Sequence, residues 1–360
     1  MAAGTVISID GMGGDLGPAP LIAGMARAAR QDETLRFLVH GDETVLKPQI
    51  SRRAILRDRC EIRHAAGVVS MDEKPSRAVR TGRETSLWNA IDAVRKGEAR
   101  VALSSGNTGA LVAMSILQLR TAPGVHRPAI AVHWPAKNPH GFNVVLDMGA
   151  DIRADAATLL QYAIMGAEYS RLAFGIAEPR VALLNVGSEE MKGRQTLHEA
   201  RELIANAATT GDLGLRPIGY AEGNDILTDK VDVIVTDGFT GNIALKAAEG
   251  TAKFIRDALK NAFSHSIWSR LGALFALTSL RRLRQRIDPR RVNGGVLLGL
   301  NGAVVKSHGS ADAVGFASAI HLAAKMTAQD FPNLVAERLA SLDLTALASA
   351  PKSGRGQSDA

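Results

Sequence analysis

A glycine-rich segment near the start of the chain has the residue types of an anion-binding turn. Residues 10–18 read Asp-Gly-Met-Gly-Gly-Asp-Leu-Gly-Pro, between an apolar stretch predicted as a strand and a predicted helix. Glycines let backbone N–H groups approach an anion closely, and a helix N-terminus adds partial positive charge. Gly11 and Gly13 match the dinucleotide fingerprint, but Leu16 stands where its third glycine would be. The segment predicts either a phosphate site without a nicotinamide cofactor or a purely structural turn. Its two aspartates are expected to orient neighbouring donors or cap the helix.

Four further loops combine glycine with hydroxyl, amide or lysine side chains, each after a predicted strand. They span residues 104–110, 185–193, 236–246 and 305–312. Because ligands of α/β sheets bind where loops gather at the carboxyl ends of strands, five such loops predict a polar crevice that binds anions. The candidate phosphate- or substrate-binding residues are Asp10, Gly13, Gly14, Asp15, Ser105, Asn107, Thr108, Gly109 and Thr240.

Some side chains in these loops are candidates for catalysis. They are Lys192, Asn242, Lys306 and His308. Simpler interpretations stay open for several polar residues here. The alternative for Lys192 is a surface ion pair with Glu189 or Glu190. The alternative for His308 is a buried structural histidine. Lys246 falls in a helical pattern and favours a solvated face.

The sequence has no motif for a covalent nucleophile. There is no Gly-x-Ser-x-Gly elbow, and Cys60, the only cysteine, has no neighbouring histidine motif. A single cysteine excludes an intrachain disulfide and favours a reducing, cytoplasmic setting. Neither a His-Glu-x-x-His motif nor a cysteine pair is present, so no metal site is predicted. The residues instead suit direct attack by an anionic substrate that the protein positions.

Alternating apolar and helical segments predict the elements that position these loops. The chain has 360 residues, of which 46% are hydrophobic and 22% charged, as in an ordinary globular protein. Predicted strands are residues 5–9, 35–40, 100–103, 129–133, 142–147, 181–186, 231–236 and 303–306, and helix-like segments include 86–96, 154–171 and 195–209. This alternation predicts a three-layer α/β/α sandwich with a mostly parallel sheet. No apolar run is long enough to span a bilayer, and no signal peptide is recognised.

Seven ordered stretches of the chain resemble the bacterial PlsX phosphate acyltransferases. The stretches are residues 10–18, 73–80, 105–110, 146–150, 184–193, 232–246 and 306–312. Together they reach from near the start to about residue 330. Asp151 and Arg194 stand where asparagine is expected, so no detailed role is carried over to these two positions.

The resemblance implies a homodimeric enzyme with a fold like those of the isocitrate and isopropylmalate dehydrogenases and phosphate acetyltransferase. It implies transfer of a long-chain acyl group from acyl carrier protein to inorganic phosphate, giving acyl phosphate for phospholipid synthesis. No cofactor is implied, and a membrane glycerol-3-phosphate acyltransferase is the expected downstream partner. We expect one α/β domain over residues 1–335 and an extension over 336–360, with disorder towards its end.

The mechanism expected from this resemblance uses the loops already described. Phosphate binds to backbone amides and hydroxyls of Gly13, Gly14, Ser105, Asn107 and Thr108. Either Lys192 or Lys306 neutralises its charge. Asn242, or a nearby N–H, stabilises the oxyanion formed when phosphate attacks the thioester, and His308 is a candidate for assisting the leaving group.

One segment carries most of the basic charge. Residues 251–291 contain ten lysines and arginines against two acidic residues, a local charge of +8 that leaves −1 for the rest of the +7 chain. We predict an amphipathic helical element at 254–291. An apolar stretch beside an arginine cluster is typical of a segment in a membrane interface, so we expect peripheral contact with an anionic membrane. A dimer-interface helix and docking of the acidic carrier protein are the alternatives. The predicted contact residues are Trp268, Leu271, Phe275, Arg281 and Arg282.

Two other functions stay open from the sequence. A phosphotransacetylase acting on acetyl-CoA would use similar loops, although the set of motifs favours the carrier-protein substrate. A lipid- or nucleic-acid-binding protein without catalysis would use the arginine cluster but would not explain five glycine-rich polar loops. Because the charge outside residues 251–291 is slightly negative, nucleic acid is not an expected partner.

Overall fold

A large mixed β-sheet forms the centre of the molecule. The structure, a computed structural model, describes residues 5–189, 191–210, 213–287, 294–327 and 331–340. Within these ranges the strands are β1 (Val6–Asp10), β2 (Arg36–Gly41), β3 (Cys60–His64), β4 (Val101–Ser104), β5 (Ala129–Pro135), β6 (Phe142–Leu146), β7 (Arg180–Leu184), β8 (Arg216–Ala221), β9 (Val233–Val235), β10 (Gly295–Leu298) and β11 (Ala303–Lys306). Their order across the sheet is β3-β2-β1-β4-β11-β10-β5-β6-β9-β7-β8.

Two parallel blocks of strands run in opposite directions within this sheet. Strands β3, β2, β1, β4 and β11 are parallel to one another, and so are β6, β9, β7 and β8. Between the blocks, β10 is antiparallel to both β11 and β5, and β5 is antiparallel to β6. Three successive reversals place the carboxyl ends of the two blocks at opposite edges of the sheet. We call the edge with the carboxyl ends of β1, β4 and β11 the first edge, and the opposite one the second edge.

Helices cover both faces of the sheet. In the described part of the chain they are α1 (Pro18–Gln31), α2 (Glu43–Ser51), α3 (Pro75–Thr81), α4 (Ser86–Arg95), α5 (Thr108–Leu119), α6 (Ala156–Phe174), α7 (Gln195–Thr210), α8 (Gly238–Ser264), α9 (Ile267–Ile287), α10 (Ala313–Thr327) and α11 (Phe331–Ala340). One apolar core lies between the sheet and α1, α2, α6, α7, α10 and α11. A second core lies on the other face, under α3, α4, α5 and the first part of α8. The predicted α/β/α sandwich with a mostly parallel sheet is confirmed.

Local sequence explains why helices begin at the ends of strands. The apolar run of β1 buries Ile7 and Ile9 completely, as expected for a strand between two parallel neighbours. After β4, Asn107 caps α5 by accepting a hydrogen bond from the backbone N–H of Ala110. After β9, Asp237 caps α8 in the same way. Each cap fixes a helix N-terminus beside the carboxyl end of a strand.

Several elements differ from the sequence prediction. Strands β3 and β8 were not predicted because they form the two ends of the sheet and carry exposed polar residues, which obscure the apolar pattern. Strand β10 was not predicted because it is only four residues long and begins at a glycine. The amphipathic helical element predicted at 254–291 is divided, since α8 ends at Ser264 and α9 begins at Ile267. The predicted extension, 336–360, begins within α11, and its residues 341–360 lie outside the described residues.

Candidate functional site

Three loops meet at the first edge of the sheet, following β1, β4 and β11. The backbone N–H of Asp15 donates a hydrogen bond of 2.9 Å to the carbonyl of Gly309. Gly14 has a φ of +98°, and a Cβ there would lie 2.7 Å from the Ser105 hydroxyl oxygen and 3.0 Å from the Gly309 oxygen. Only glycine permits this backbone conformation and this close approach together. We call this meeting of residues 10–15, 104–109 and 306–310 the cradle.

Asp10 organises the cradle from beneath. Its side chain is buried, with an exposed fraction of only 2%. The carboxylate accepts hydrogen bonds from the hydroxyls of Ser86 and Ser104, at 2.6 and 2.7 Å. It also accepts from the backbone N–H groups of Met12 and Gly13, at 3.3 and 3.2 Å. With its oxygens committed to these donors, Asp10 orients the turn, which is the role expected from the sequence.

Asn107 holds a fourth segment against the cradle. While its Oδ1 caps α5, the two protons of its Nδ2 go to the carbonyls of Met71 and Glu73, at 2.8 and 2.9 Å, and the carbonyl of Ser70 shares one of them at 3.2 Å. The side chain of Asn107 is therefore fully used in structural hydrogen bonds. The first backbone N–H groups of α5 have no intrahelical acceptor, as in any helix, and they begin at Thr108 beside the cradle. The positive end of the α5 dipole adds to their attraction for an anion.

Lys306 places a cation inside the cradle. It is the last residue of β11, and its ammonium donates a hydrogen bond to the carbonyl of Gly106. Burial lowers the pKa of Lys306 to about 8, although the carboxylates of Asp10 and Asp15 oppose this shift. The ammonium of Lys306 is thus held by hydrogen bonding and charge in a largely desolvated position, where its attraction for an anion is strong.

His308 connects the cradle to α8. Its Nδ1 accepts a hydrogen bond of 3.2 Å from the backbone N–H of Ser310, and its Nε2 lies 3.2 Å from Oε1 of Glu249. Glu249 also pairs with Lys246, at 3.1 Å. Asn242, Lys246 and Glu249 have the i, i+4, i+7 spacing of one helix face. This face of α8 therefore reaches from the second edge of the sheet to the cradle.

The other predicted site residues lie at the second edge, so the structure divides the crevice expected from the sequence. Lys192 follows β7, and its ammonium pairs with Glu189 at 2.7 Å, leaving the lysine side chain 54% exposed. This pairing is the simpler interpretation that the sequence left open.

Thr240 and Asn242, on the first turns of α8, also lie at the second edge. The hydroxyl of Thr240 accepts a hydrogen bond of 3.3 Å from Arg194. Asn242 lies beside Gly149, and seven helical residues, about 10 Å of axis, separate it from Glu249.

A second buried carboxylate organises the loop beneath Asn242. Asp147 follows β6 and accepts backbone hydrogen bonds from Ile130, Ala150 and Asp151, at 2.8, 2.9 and 2.6 Å. Burial raises the pKa of Asp147 to about 6, while these N–H donors act in the opposite direction. Asp147 resembles Asp10, as a buried acceptor that shapes a loop at the end of a strand.

Comparison with known proteins identifies the family. The sequence model of a family described as fatty acid synthesis protein matches residues 5–334. A phosphate acyltransferase from Jannaschia sp. is 56% identical, over 98% of this chain and 96% of its own length. A phosphate acyltransferase from Paracoccus denitrificans is 57% identical, over 94% of this chain and 90% of its own. The chain belongs to the PlsX phosphate acyltransferase family. It is therefore an acyltransferase.

A solved structure shows that the fold of this chain is shared more widely. A phosphotransacetylase from Streptococcus pyogenes superimposes with a TM-score of 0.60 at 17% identity, covering 91% of this chain and 95% of its own. At that identity the likeness concerns the fold alone. The expected likeness to phosphate acetyltransferase in architecture is thus confirmed.

The distal part of α8 and α9 (residues 254–279) form an exposed apolar hairpin. Trp268 is 81% exposed and Phe275 is 92% exposed, and Phe254 and Leu274 are also exposed. Leu271 is partly covered, with 41% exposed. The predicted contacts Arg281 and Arg282 lie where the structure describes the backbone of α9 but not the side chains. None of the described helices is both long and apolar enough to cross a membrane.

Sequence reasoning missed several residues that the structure brings to the candidate site. Ser86 and Ser104 bind the carboxylate of Asp10, and Glu249 contacts His308. Ser104 was visible as part of a polar loop, whereas Ser86 and Glu249 carry no local signal because their partners are distant along the chain. Among the residues that the structure describes, no group of three histidine, cysteine, aspartate or glutamate side chains is placed to hold a metal ion.

Proposed function

We propose that this acyltransferase moves a long-chain acyl group from acyl carrier protein to inorganic phosphate, and that the acyl phosphate serves phospholipid synthesis. The observation that carries the proposal is the cradle, where three glycine-containing loops, the first turn of α5 and the largely buried Lys306 converge. Its donor set suits a small, highly charged oxyanion. The family description, which refers to fatty acid synthesis, supports an acyl group as the other reactant.

Phosphate is proposed to bind between Lys306 and the first turn of α5. The ammonium supplies a charge-assisted hydrogen bond, and the N–H groups at Thr108 and Gly109 point along the positive end of the helix dipole. Ser105, whose hydroxyl donates to the carbonyl of Gly13 at 2.9 Å, lines the same space. Of the two lysines left open by the sequence, Lys306 is favoured because it lies within the cradle, whereas Lys192 is at the second edge.

The proposed reaction is a direct acyl transfer without a covalent enzyme intermediate. A phosphate oxygen attacks the thioester carbonyl carbon, the new C–O bond forms, and the C–S bond breaks to release the carrier protein thiolate. A thiol with an ordinary pKa of about 8.5 is a fair leaving group, so little acid assistance is needed. His308 lies at the mouth of the cradle, in a position suited to the carbonyl or the leaving sulfur. Of the two oxyanion donors left open by the sequence, a backbone N–H of the cradle is favoured over Asn242, because Asn242 lies at the second edge.

The proposed acyl donor is a carrier protein because the outer helices offer it a basic surface. Exposed lysines and arginines on α8 and α9 include Lys253, Arg256, Lys260 and Arg270. Acyl carrier proteins are acidic, and complementary charge accelerates docking and fixes orientation. The same helices begin at the candidate site, because α8 carries Lys246 and Glu249. A carrier protein bound there would hold its acyl thioester close to the cradle.

We propose that the enzyme is a cytoplasmic homodimer in peripheral contact with an anionic membrane, as the exposed apolar hairpin suggests. A product that feeds membrane lipid synthesis is best released beside a membrane, where a glycerol-3-phosphate acyltransferase is the proposed consumer. Exposed aromatic residues next to basic residues are suited to the membrane interface. The exposed face of α8 also provides apolar area for a second copy of the chain.

The proposed function is tested by incubating the protein with palmitoyl carrier protein and inorganic phosphate. We expect one acyl phosphate and one free carrier thiol per turnover, detected by mass spectrometry and thiol titration. Acetyl-CoA with phosphate serves as the comparison donor, and we expect much slower turnover with it. Absence of acyl phosphate from palmitoyl carrier protein, or clear preference for acetyl-CoA, would contradict the proposal.

A further inference from the structure

Building on the proposed function, we propose that Glu249 is a positioning residue for acyl transfer. Its carboxylate holds Nε2 of His308 and the ammonium of Lys246 at the mouth of the cradle, and so fixes α8 to residues 306–310. Glu249 belongs to none of the sequence motifs. It is assigned from its place in the fold, where a helix that begins at the second edge reaches a loop at the first edge.

The hydrogen bonds of His308 define which ring nitrogen faces Glu249. A backbone N–H can only donate, so Nδ1 of His308 accepts from the N–H of Ser310 at 3.2 Å, and the Ser310 hydroxyl oxygen lies 2.9 Å from the same nitrogen. Nε2 is therefore the ring nitrogen that donates to Glu249, whose Oε1 lies 3.2 Å away. The imidazole is held from both sides, by its own loop and by α8. Without the carboxylate, the ring would lose its hydrogen bond to α8 and keep its contacts with Ser310.

Glu249 also balances the charge of a second lysine close to the cradle. Lys246, one helical turn earlier on α8, pairs with Glu249 at 3.1 Å. The positive charge of Lys246 is near enough to Lys306 to disfavour its protonated form. The hydrogen bond from His308, followed by that from Lys246, keeps the pKa of Glu249 below its usual range, so the carboxylate is ionised at neutral pH. The carboxylate of Glu249 thus holds both Lys246 and His308 beside the proposed phosphate site.

Alanine and glutamine at position 249 separate a positioning role from a general structural role. Glu249→Ala removes the acceptor but keeps high helix propensity, so α8 itself should not be weakened. Glu249→Gln keeps an oxygen that accepts from Nε2 of His308. The matched control is Asp257→Asn, another acidic residue of α8, which pairs with Arg256 away from residues 306–310.

The decisive experiment is a double-mutant cycle with His308→Ala in the acyl phosphate assay. We expect Glu249→Ala to lower kcat at least tenfold with the KM for phosphate within threefold of wild type. We expect Glu249→Gln and Asp257→Asn to retain kcat within threefold. Combined with His308→Ala, Glu249→Ala should produce no further loss. The inference would be overturned if the kcat losses of the two single variants multiplied in the double variant, or if kcat were unchanged in Glu249→Ala.

Hydrogen–deuterium exchange tests the same contact without relying on turnover. We expect the amides of residues 306–310 to exchange faster in Glu249→Ala than in wild type, and at the wild-type rate in Glu249→Gln. Equal exchange in Glu249→Ala and wild type would overturn the positioning role. If wild type forms no acyl phosphate, the proposed function is contradicted. Faster exchange in Glu249→Ala than in wild type would still support the contact between Glu249 and His308.

Discussion

Lys306 and Asp10 show how buried charges can prepare a site for an anion. Lys306 enters a desolvated space at the end of β11, and Asp10 lies beneath it with an ordered shell of hydrogen-bond donors. Both charges are held by the fold before any substrate binds. Such preorganisation lets a site stabilise developing charge without reorganising during the reaction. Substitutions of these two residues separate the anion-binding role of the lysine from the organising role of the aspartate.

The lowered pKa of Lys306 predicts a pH dependence for phosphate binding. As pH rises through about 8, the free enzyme loses the ammonium charge, so kcat/KM for phosphate should fall. Lys306→Arg keeps its charge over this range, so its kcat/KM for phosphate should decline less steeply. Phosphate titrates identically in both assays, which isolates the contribution of the side chain. Parallel pH profiles for the two enzymes would show that Lys306 does not bind the anion.

Replacing Asp10 is expected to weaken the fold more than it changes any single contact with substrate. Asp10→Asn turns one of two acceptor oxygens into a donor facing the hydroxyl and N–H donors around it. Leaving buried polar groups unsatisfied costs about 1–3 kcal/mol each. We expect a clear loss of unfolding free energy by urea denaturation, and little change for the exposed Asp15→Asn. Equal stability of the two variants would contradict the organising role of Asp10.

At the scale of elements, the cradle depends on how closely loops from separate strands approach one another. The turn after β1 contacts both the loop after β4 and the loop after β11. Sequence reasoning found these loops because glycine and hydroxyl residues after apolar strands are local features. It placed Lys192, Thr240 and Asn242 in the same crevice because it had no information on strand direction. The antiparallel pairings of β10 and β5 put them at the opposite edge, and β10 was not predicted.

Two glycines of the first loop offer a matched test of this close approach. Gly14 and Gly17 both have positive φ values, so alanine strains the backbone at either position. A Cβ at Gly14 meets Ser105 and Gly309, whereas nothing lies within 4 Å of a Cβ at Gly17. We expect both variants to lose stability, and only Gly14→Ala to raise the KM for phosphate, at least tenfold. An unchanged KM in folded Gly14→Ala would argue against a site between these loops.

At the scale of the whole molecule, a covered sheet and an exposed hairpin have different physical roles. The two apolar cores stabilise the sandwich. Composition and periodicity were sufficient to predict this architecture. The break between α8 and α9 and the contact of Glu249 with His308 were not predictable, because both depend on residues distant along the chain. The apolar and basic segment that forms the hairpin was recognised from its sequence pattern. What this segment binds stays a prediction.

Charge substitutions on the hairpin test the proposed membrane contact. Trp268→Glu combined with Phe275→Glu places two negative charges on strongly exposed apolar positions, so we expect loss of binding to anionic vesicles in a sedimentation assay. Because neither side chain belongs to the cores, the melting temperature of the monomer unit should change little. Unchanged vesicle binding would contradict the membrane proposal. Chromatography of the same variant would report whether these residues also hold a dimer together.

The proposed function depends on phosphate being bound by Lys306 in the cradle. The most direct measurement is the rate of acyl phosphate formation from palmitoyl carrier protein as phosphate is varied, for wild type and Lys306→Met. Methionine keeps the apolar bulk, and the exposed Lys47→Met is the control for loss of one positive charge. We predict a KM for phosphate at least 100-fold higher in Lys306→Met, with the KM for carrier protein and the Lys47→Met enzyme unchanged. A Lys306→Met enzyme with wild-type dependence on phosphate would contradict the account.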